Sequence, residues 1–185
     1  MQISEIKLAL EKLHASSFGW ALSCCRFNRL EAEEVLQITY LKILEGKALY
    51  AGEAAFKTWL FAVIRKTALN ERRKNVMRSL ILSAGADRLP RDSQPEDPIR
   101  AVERSETQAH FRQALNRLPA RQRETLHLVF YEQLTLQETA EVLGISLGAV
   151  RKHYERAKTR LRELLQQSEN NYGIYWRREN NPGAV

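Results

Sequence analysis

The stretch ISLGAVRKHYERAKTRL, residues 145–161, constrains the architecture of this chain more than any other. Its apolar side chains recur at the spacing of one helix face, at Val150, Tyr154, Ala157 and Leu161. The other faces carry a dense set of cations, which are Arg151, Lys152, Arg156, Lys158 and Arg160. A helix of this kind buries its apolar face and presents the cations to a polyanion or to water.

The residues before and within this stretch predict a helix-turn-helix. Thr135 followed by Glu138 is a capping box, which begins a helix. Gly144 then ends that helix, because the turn favours a residue that tolerates positive φ. Ser146 can cap the next helix, which we expect to run from about Leu147 to Leu165.

In a helix-turn-helix the second helix enters the major groove of DNA with its N-terminal end first. Residues in its first turns reach base edges, and cations further along meet phosphates. The candidates are Arg151, Lys152 and Arg156 for base edges, and Lys158 and Arg160 for phosphates. His153 fits a phosphate contact or a partly buried structural role equally well. A helical hairpin with a solvated basic face is the alternative to this interpretation.

A further helix is predicted immediately before the helix-turn-helix. Pro119 stops the preceding helix, and the segment 120–132 has apolar residues at helical spacing. We expect Leu126, Val129 and Phe130 to face inward.

Composition and charge agree with a helical protein that binds a polyanion. The chain has 185 residues, of which 44% are hydrophobic, and only 8 Gly and 5 Pro, so we expect an all-α fold. The net charge of +7 and the pI of about 9.6 favour nucleic acid as the partner, with an anionic membrane surface second. A solvated basic surface without such a partner is the alternative.

The cysteines and the start of the chain suit a cytoplasmic protein. Cys24 and Cys25 are adjacent, so a disulfide between them is not expected, and no Cys/His pattern has metal-ligand spacing. The amphipathic N-terminus does not resemble a signal peptide, and no apolar run approaches the roughly 20 residues that span a bilayer. We therefore predict a reducing compartment, no metal, no cofactor and no membrane insertion.

The apolar residues cluster in two blocks, which predicts two small helical domains joined by a flexible linker. The first domain covers 1–78, and the second, with the helix-turn-helix, covers 105–166. The linker, 79–104, contains three of the five prolines and little helical periodicity. The C-terminal tail, 167–185, is polar and predicted to be flexible, although its aromatic residues could dock on a domain.

Two helices are predicted within the first domain. The segment 31–46 has apolar residues at helical spacing and ends at Gly46. The segment 56–74 has a stripe that must be buried, formed by Phe56, Trp59, Leu60, Val63 and Ile64. The other side and the C-terminal end of this helix are basic, with more cations than the helix dipole accounts for.

These patterns resemble a known family. The run LNRLPARQRETLHLVFYEQLTLQETAEVLGISLGAVRKHYERAKTRLREL resembles region 4 of a bacterial sigma factor, with its LPARQR opening, capped helix and basic second helix. The runs EAEEVLQITYLKIL and YAGEAAFKTWLFAVIRKTALNERRK resemble region 2 of the same family. The order and the short linker resemble the extracytoplasmic-function (ECF) group, over roughly residues 10–78 and 105–165. The resemblance implies a sigma factor that binds core RNA polymerase, recognises −10 and −35 promoter elements and promotes DNA opening.

The resemblance also implies a polymerase-binding face. Carried over by position, it consists of Glu33, Glu34, Gln37 and Leu41. Its expected partners are the clamp helices of the largest polymerase subunit. The resemblance also implies the flap of the second-largest subunit as a partner. An acidic and amide face with one apolar anchor can meet a basic surface, although a plain solvated face is the alternative. The family commonly has an acid after the glutamine, where this chain has Ile38.

The resemblance implies that the −10 element binds to the loop around residues 50–53 and to the basic helix over 56–74. Tyr50 and Gly52 resemble the loop that receives a flipped base. The separated strand would be held by Arg65, Lys66, Asn70 and Arg73. Because the family often has Asn at the position of Lys66 and Asp near Asn70, its −10 preference cannot be carried over. Phe56 and Trp59 invite base stacking, but their place on the buried stripe favours the core.

The linker and the cellular context complete these expectations. Extended, the linker reaches about 80 Å at about 3.3 Å per residue, which exceeds the roughly 70 Å between DNA sites two helical turns apart. Its acids, Asp87, Asp92, Glu96 and Asp97, resemble the segment that sigma linkers thread through polymerase channels, and an ordinary solvated linker explains them equally well. Members of the group are commonly held by an anti-sigma protein, which is a further candidate partner. The expected location is the bacterial cytoplasm, at the nucleoid.

Two other functions compete with this interpretation. A DNA-binding regulator without polymerase contact explains the second domain but leaves the basic helix and the acidic face of the first without a purpose. An enzyme acting on nucleic acid needs a nucleophile with a base, or carboxylates clustered for a metal. The acids of the first domain fall on one short helix end without a Ser, Tyr or His partner at useful spacing, so we predict that the chain is not an enzyme.

Overall fold

The computed structural model describes residues 2–83 and 106–179, and every regular element in these two ranges is helical. The helices are α1 (Ile3–Lys12), α2 (His14–Cys24), α3 (Arg29–Leu44), α4 (Phe56–Ser83), α5 (Glu106–Asn116), α6 (Ala120–Leu126), α7 (Leu136–Leu143) and α8 (Leu147–Glu179), and a π-helical turn (His127–Tyr131) follows α6. The predicted all-α class is confirmed. The helix predicted over 56–74 continues to Ser83, so residues 79–83 of the predicted linker belong to α4. The rest of that linker, with its four acids, lies outside the described residues.

The ends of α3 follow from its sequence. The side chain of Asn28 accepts a hydrogen bond from the backbone N–H of Glu31 at 3.2 Å and so caps the helix. Glu31 in the first turn and Lys42 in the last complement the helix dipole. Gly46 follows the helix with a φ of 70°, which glycine adopts without strain. The helix predicted over 31–46 is therefore found, beginning and ending slightly earlier.

The first half of the chain, α1–α4, folds around the N-terminal part of α4. Trp20, Leu60, Phe61 and Ile64 are fully buried, and the indole Nε1 of Trp20 donates to the carbonyl oxygen of Phe61 at 2.9 Å. This hydrogen bond ties α2 to α4 and satisfies the one polar atom of the largest core residue. Of the stripe predicted for α4, Leu60 and Ile64 lie at the centre of this core, whereas Phe56, Trp59 and Val63 are only half-buried, and Phe61, which is not part of the predicted stripe, is buried beside them.

The second half contains the predicted helix-turn-helix, α7 and α8. The side chain of Thr135 accepts from the backbone N–H of Glu138 at 3.2 Å, and Glu138 accepts from the backbone N–H of Thr135 at 2.8 Å. Gly144 ends α7 with a φ of 62°, and Ser146 accepts from the backbone N–H of Ala149 at 3.2 Å. The capping box, the turn glycine and the second cap are all confirmed.

The apolar face of α8 is covered by α5 and α6. Ala157 is fully buried and Leu164 nearly so, and they pack in one cluster with Leu115, Leu118 and Leu126. The cationic faces of α8 consequently point away from the body of the protein.

Two local predictions differ from the structure. Leu126 is buried as expected, but Phe130 is 52% exposed and Leu128 is fully buried instead. The cause is the π-helical turn, which holds more residues per turn than an α-helix and so shifts the buried face. The helix predicted to end near Leu165 continues to Glu179, because no proline interrupts it and each added residue contributes one hydrogen bond.

The two halves of the chain pack directly against each other. Trp20 and Phe61 of the first half share one apolar cluster with Leu128, Val142 and Leu143 of the second. The aromatic ring of His127 lies 5.4 Å from that of Trp20, measured between ring centroids. Sequence patterns predict two helical domains but not their arrangement, and the structure places them in contact through α2, α4, α6 and α7.

Candidate nucleic-acid interface

The predicted base-reading residues project from the first turns of α8. Arg151, Lys152 and Arg156 are all exposed, and within the described parts of the chain none of them forms an ion pair with an acid. Val150 beside them is fully buried and fixes the rotation of the helix. The helix-turn-helix therefore presents three uncommitted cations on one outer surface.

The remaining candidates on α8 are already engaged with neighbours. Lys158 lies 2.9 Å from Glu155 and sits over the ring of Tyr154, at 4.7 Å from its centroid. Arg160 lies 3.1 Å from Glu163. Exposed ion pairs of this kind contribute about 1 kcal/mol or less to stability. Each cation can therefore leave its glutamate and bind a phosphate at little cost. His153 is half-buried, which leaves both of its predicted roles open.

The loop between α3 and α4 is organised by aromatic side chains. Gly52 is exposed, with a φ of 82°, and Tyr50 is half-buried and donates from its hydroxyl to the carbonyl oxygen of Ala54 at 2.5 Å. The ring of Tyr50 lies 5.3 Å from those of Phe56 and Trp59. Phe56 and Trp59 are partly buried against the core, the position that the sequence favours over base stacking.

The basic helix α4 divides its predicted DNA-binding residues between two environments. Lys66 and Arg73 are exposed and Asn70 is half-buried. Arg65 is buried, with its Nε 3.1 Å from Oε2 of Glu124 and its Nη1 3.5 Å from the carbonyl oxygen of Leu143. In this arrangement Arg65 faces the second half of the chain and not the solvent.

A second cation of α4 is paired in the same way. The ammonium of Lys57 lies 2.9 Å from Oε2 of Glu132 and donates to the backbone carbonyl of the same residue at 2.8 Å. Burial by itself raises the pKa of Glu132, but hydrogen bonds and charge from His127 and Lys57 outweigh it and hold that pKa below its usual value. Glu132 is therefore ionised at neutral pH.

Three contacts between the halves carry no signal in the sequence. In the sequence, Glu124 and Glu132 are two acids in a half of the chain with net positive charge, and nothing predicts that they contact the first half. Arg123 is 4% exposed and donates to the carbonyl oxygen of Ser23 at 3.3 Å, although the sequence marks it only as one helix residue among several. The spacing of apolar residues along a helix predicts which positions are buried, but it does not predict which other helix packs against them.

The predicted polymerase-binding residues lie on the outer face of α3. Glu34 and Gln37 carry the polar groups of this face, and Leu41 is 57% exposed although it is apolar. Glu33 accepts from Nε of Arg29 at 2.8 Å. The opposite face of α3 is buried, so this surface stays accessible while the two halves are packed together.

Within the described residues, no group of His, Cys, Asp and Glu could hold a metal ion. Burial raises the pKa of Cys25 to about 12 and raises that of Cys24 as well, so neither thiol is ionised at neutral pH. None of the described helices is both long and apolar enough to cross a membrane.

Comparison with known proteins identifies both halves. The family model for sigma-70 region 2 matches residues 12–77, and that for sigma-70 region 4 matches residues 114–163. The chain is 30% identical over 146 residues to the RNA polymerase sigma factor YlaC of Bacillus subtilis, covering 77% of this chain and 83% of that one. It is 32% identical over 163 residues to the ECF sigma factor ShbA of Streptomyces griseus, covering 80% and 82%.

Solved structures agree with the family models. The sigma factor RpoE of Bartonella quintana, solved in complex with the anti-sigma factor NepR, superposes with a TM-score of 0.69 at 25% identity, covering 88% of this chain and 97% of that one. CnrH, solved with the cytosolic domain of CnrY, has the same fold, with a TM-score of 0.57 at 18% identity over 87% of each chain. The chain therefore belongs to the extracytoplasmic-function group of the sigma-70 family, the RNA polymerase sigma factors that act in transcription initiation.

Proposed function

We propose that this sigma factor binds core RNA polymerase through α3, reads the −35 element with α8 and holds the unwound −10 element with the α3–α4 loop and α4. The observation that carries the proposal is the set of three exposed cations at the start of α8, which form no ion pair with any residue in the described ranges. They stand where a helix-turn-helix meets base edges. In this role the chain acts as an initiation factor and not as an enzyme.

At the −35 element, the roles follow from position along α8. Arg151, Lys152 and Arg156 are near enough to the N-terminus of the helix to reach guanine O6 and N7, each good contact contributing about 1–3 kcal/mol of discrimination. Lys158 and Arg160 exchange their exposed glutamate partners for phosphates. His153 adds a phosphate contact when the helix is seated.

At the −10 element, the loop supplies a pocket and α4 supplies charge. The backbone at Gly52 is open, because a Cβ added there would meet no atom within 4 Å, and Tyr50 provides an aromatic wall. Lys66 and Arg73, with Asn70 between them, line an exposed face that a single strand can follow. Arg65 joins this face once its contact with Glu124 is released.

At the polymerase, the outer face of α3 docks on the clamp helices of the largest subunit. Leu41 is the apolar anchor, because docking would remove its exposed apolar surface from water. Glu33, Glu34 and Gln37 supply the polar contacts. We assign the flap of the second-largest subunit to the second half of the chain.

The regulation and location of the protein follow from the same role. RpoE was solved with an anti-sigma factor bound, which supports an anti-sigma protein as a partner of this chain as well. The place of action is the bacterial cytoplasm, at the nucleoid.

Variants of α8 and α3 test whether DNA binding and polymerase binding belong to separate surfaces. Arg151→Ala and Arg156→Ala should weaken binding to a selected upstream element by about tenfold or more each, equivalent to about 1.4 kcal/mol, and leave binding of core polymerase unchanged. Glu34→Arg should weaken binding of core polymerase and spare the duplex. Fluorescence anisotropy measures both affinities. The duplex carries the label for DNA binding, and the sigma factor carries the label for binding of core polymerase.

Matched controls use exposed residues of the same charge outside these faces. Arg162→Ala removes a cation later on α8, and Glu11→Arg reverses an exposed acid on α1. Equal loss of polymerase binding in Arg151→Ala and Glu34→Arg would contradict the assignment of separate surfaces.

A further inference from the structure

The C-terminal end of α4 projects from the body of the protein. Ala68 still belongs to the core cluster, but every residue from Arg72 to Ile81 is exposed. A helix that packs on one side buries at least one residue in each turn, whereas this stretch makes nearly three turns over about 15 Å without a buried residue. We call residues 72–81 the α4 tip, which presents side chains in all directions around the helix axis.

The α4 tip is amphipathic. Its apolar side chains have the spacing i, i+1, i+4 and i+5, which places them on one face of the helix, and each is more than half exposed. They are Val76, Met77, Leu80 and Ile81. At about 100° per residue, Arg72 borders this face on one side, and Lys74 and Arg78 border it on the other. Asn75 and Ser79 lie opposite.

The charge of the α4 tip is wholly positive. Its cations are Arg72, Arg73, Lys74 and Arg78, and its sequence contains no acid. Glu71 directly precedes the tip, and its Oε1 lies 2.7 Å from Nζ of Lys74. The helix dipole does not explain these cations, because the last turn of α4 carries none. A cationic helix with one apolar face is typical of helices that lie in the surface of an anionic membrane.

The combination of charge and apolar surface discriminates between possible partners. DNA phosphates would meet the cations but leave Met77 and Ile81 in water. A second copy of the tip would cover the apolar face but bring two sets of like charges together, which repel each other. An anionic bilayer satisfies both features, since its phosphates meet the cations and its acyl chains receive the apolar side chains.

We infer that the α4 tip is a membrane-binding element that lies in the surface of a bilayer rich in anionic lipid. Met77 and Ile81 enter the acyl region, and Lys74 and Arg78 bind lipid phosphates. A helix in the plane of the interface needs far fewer apolar residues than one that spans the bilayer. The inference goes beyond the proposed function, because vesicle binding requires neither polymerase nor promoter DNA.

The test measures binding of the full-length protein to vesicles. Sucrose-loaded vesicles of phosphatidylcholine, with and without one-third phosphatidylglycerol, are sedimented with the protein, and the bound fraction gives the partition coefficient. One variant combines Met77→Ser with Ile81→Ser. Its control combines Ile3→Ser with Leu8→Ser, which removes two exposed apolar side chains from α1.

A second pair of variants tests the charge of the tip. Arg78→Gln removes a cation that borders the apolar face, and its control, Arg162→Gln, removes an exposed cation from α8. Sedimentation velocity and binding of core polymerase are measured for the wild type and for all variants.

The wild type should bind the anionic vesicles and not those of phosphatidylcholine alone. Met77→Ser with Ile81→Ser should lower the partition coefficient at least tenfold, because partial burial of two such side chains contributes about 1.4 kcal/mol or more. Arg78→Gln should lower it about fivefold, at about 1 kcal/mol per cation beside an anionic surface. Both controls should stay within about twofold of the wild type, as expected for exposed positions outside the binding face.

Other results would overturn the inference. The wild type would fail to bind vesicles, or would bind equally with and without phosphatidylglycerol. Equal partition of the Met77→Ser, Ile81→Ser variant and its control would show that adsorption depends on charge alone. A wild-type dimer that this variant dissociates would assign the apolar face to a second copy of the chain. Loss of core-polymerase affinity with unchanged vesicle binding would assign it to polymerase.

The charge variants keep the inference testable if the apolar variant is misfolded. If circular dichroism shows that Met77→Ser with Ile81→Ser has lost helix, Arg78→Gln and Arg162→Gln decide the question. Equal partition of these two would show that the cations of the tip do not bind the membrane.

Discussion

Arg65 of α4 and Glu124 of α6 form an ion pair at 3.1 Å, with side chains only 10% and 7% exposed, although 59 residues separate them in sequence. The pair joins the two halves of the chain at the edge of their shared apolar cluster. It also removes from solvent a cation that the family resemblance assigns to DNA. The same residue thus serves the packed state of the protein and, in our proposal, the promoter-bound state.

Removing the carboxylate of Glu124 should destabilise the protein strongly. In Glu124→Ala the guanidinium of Arg65 stays buried without its acid, a situation that costs about 3–5 kcal/mol. We expect the free energy of unfolding, from urea titration followed by circular dichroism, to fall by about 3 kcal/mol. Glu163→Ala breaks the exposed pair with Arg160 and should change it by less than about 1 kcal/mol, so similar losses in both variants would contradict the account.

Stability should fall on acidification through Glu132. Its pKa is lowered in the folded protein by His127 and Lys57 despite burial, so its contribution is present above the ordinary glutamate pKa of about 4.3 and is lost as pH falls through the lower folded value. The free energy of unfolding of the wild type, measured from pH 7 down to pH 3, should decline more steeply than that of Glu132→Gln. Parallel curves would show that this pair contributes nothing to folding.

Two glycines of the helix-turn-helix should respond to alanine with opposite signs. Gly144 has a φ of 62°, and no atom lies within 4 Å of a Cβ added there, so Gly144→Ala should lose about 1 kcal/mol from backbone strain alone. Gly148 also has open space around its Cβ position but lies in α8, so Gly148→Ala should gain about 0.5 kcal/mol. Thermal unfolding of both variants measures the difference, and a loss in Gly148→Ala would be inconsistent with the assigned backbone.

Local features of the fold are predictable because each depends on a few neighbouring residues. Thr135 and Glu138 form the capping box that their spacing predicts, and Gly144 adopts the left-handed conformation that the turn requires. The exposure of Arg151 follows from the apolar stripe beside it. These signals need no knowledge of what packs against the helix.

Features that depend on distant parts of the chain are not predictable in the same way. Arg65 follows the buried Ile64 on α4, and only the position of α6 and α7 shows that it is covered. Phe130 belongs to the core on α-helical spacing, which the π-helical turn breaks. The assignments of individual residues to promoter DNA and polymerase stay predictions.

The most direct measurement of the central claim is run-off transcription with purified core RNA polymerase, this protein and a promoter selected from random-sequence DNA. We predict a transcript with a defined start that requires both proteins, is reduced by Arg151→Ala and is abolished by Glu34→Arg. A protein that binds duplex DNA but yields no transcript with active core polymerase would instead be a helix-turn-helix regulator, and would contradict the account.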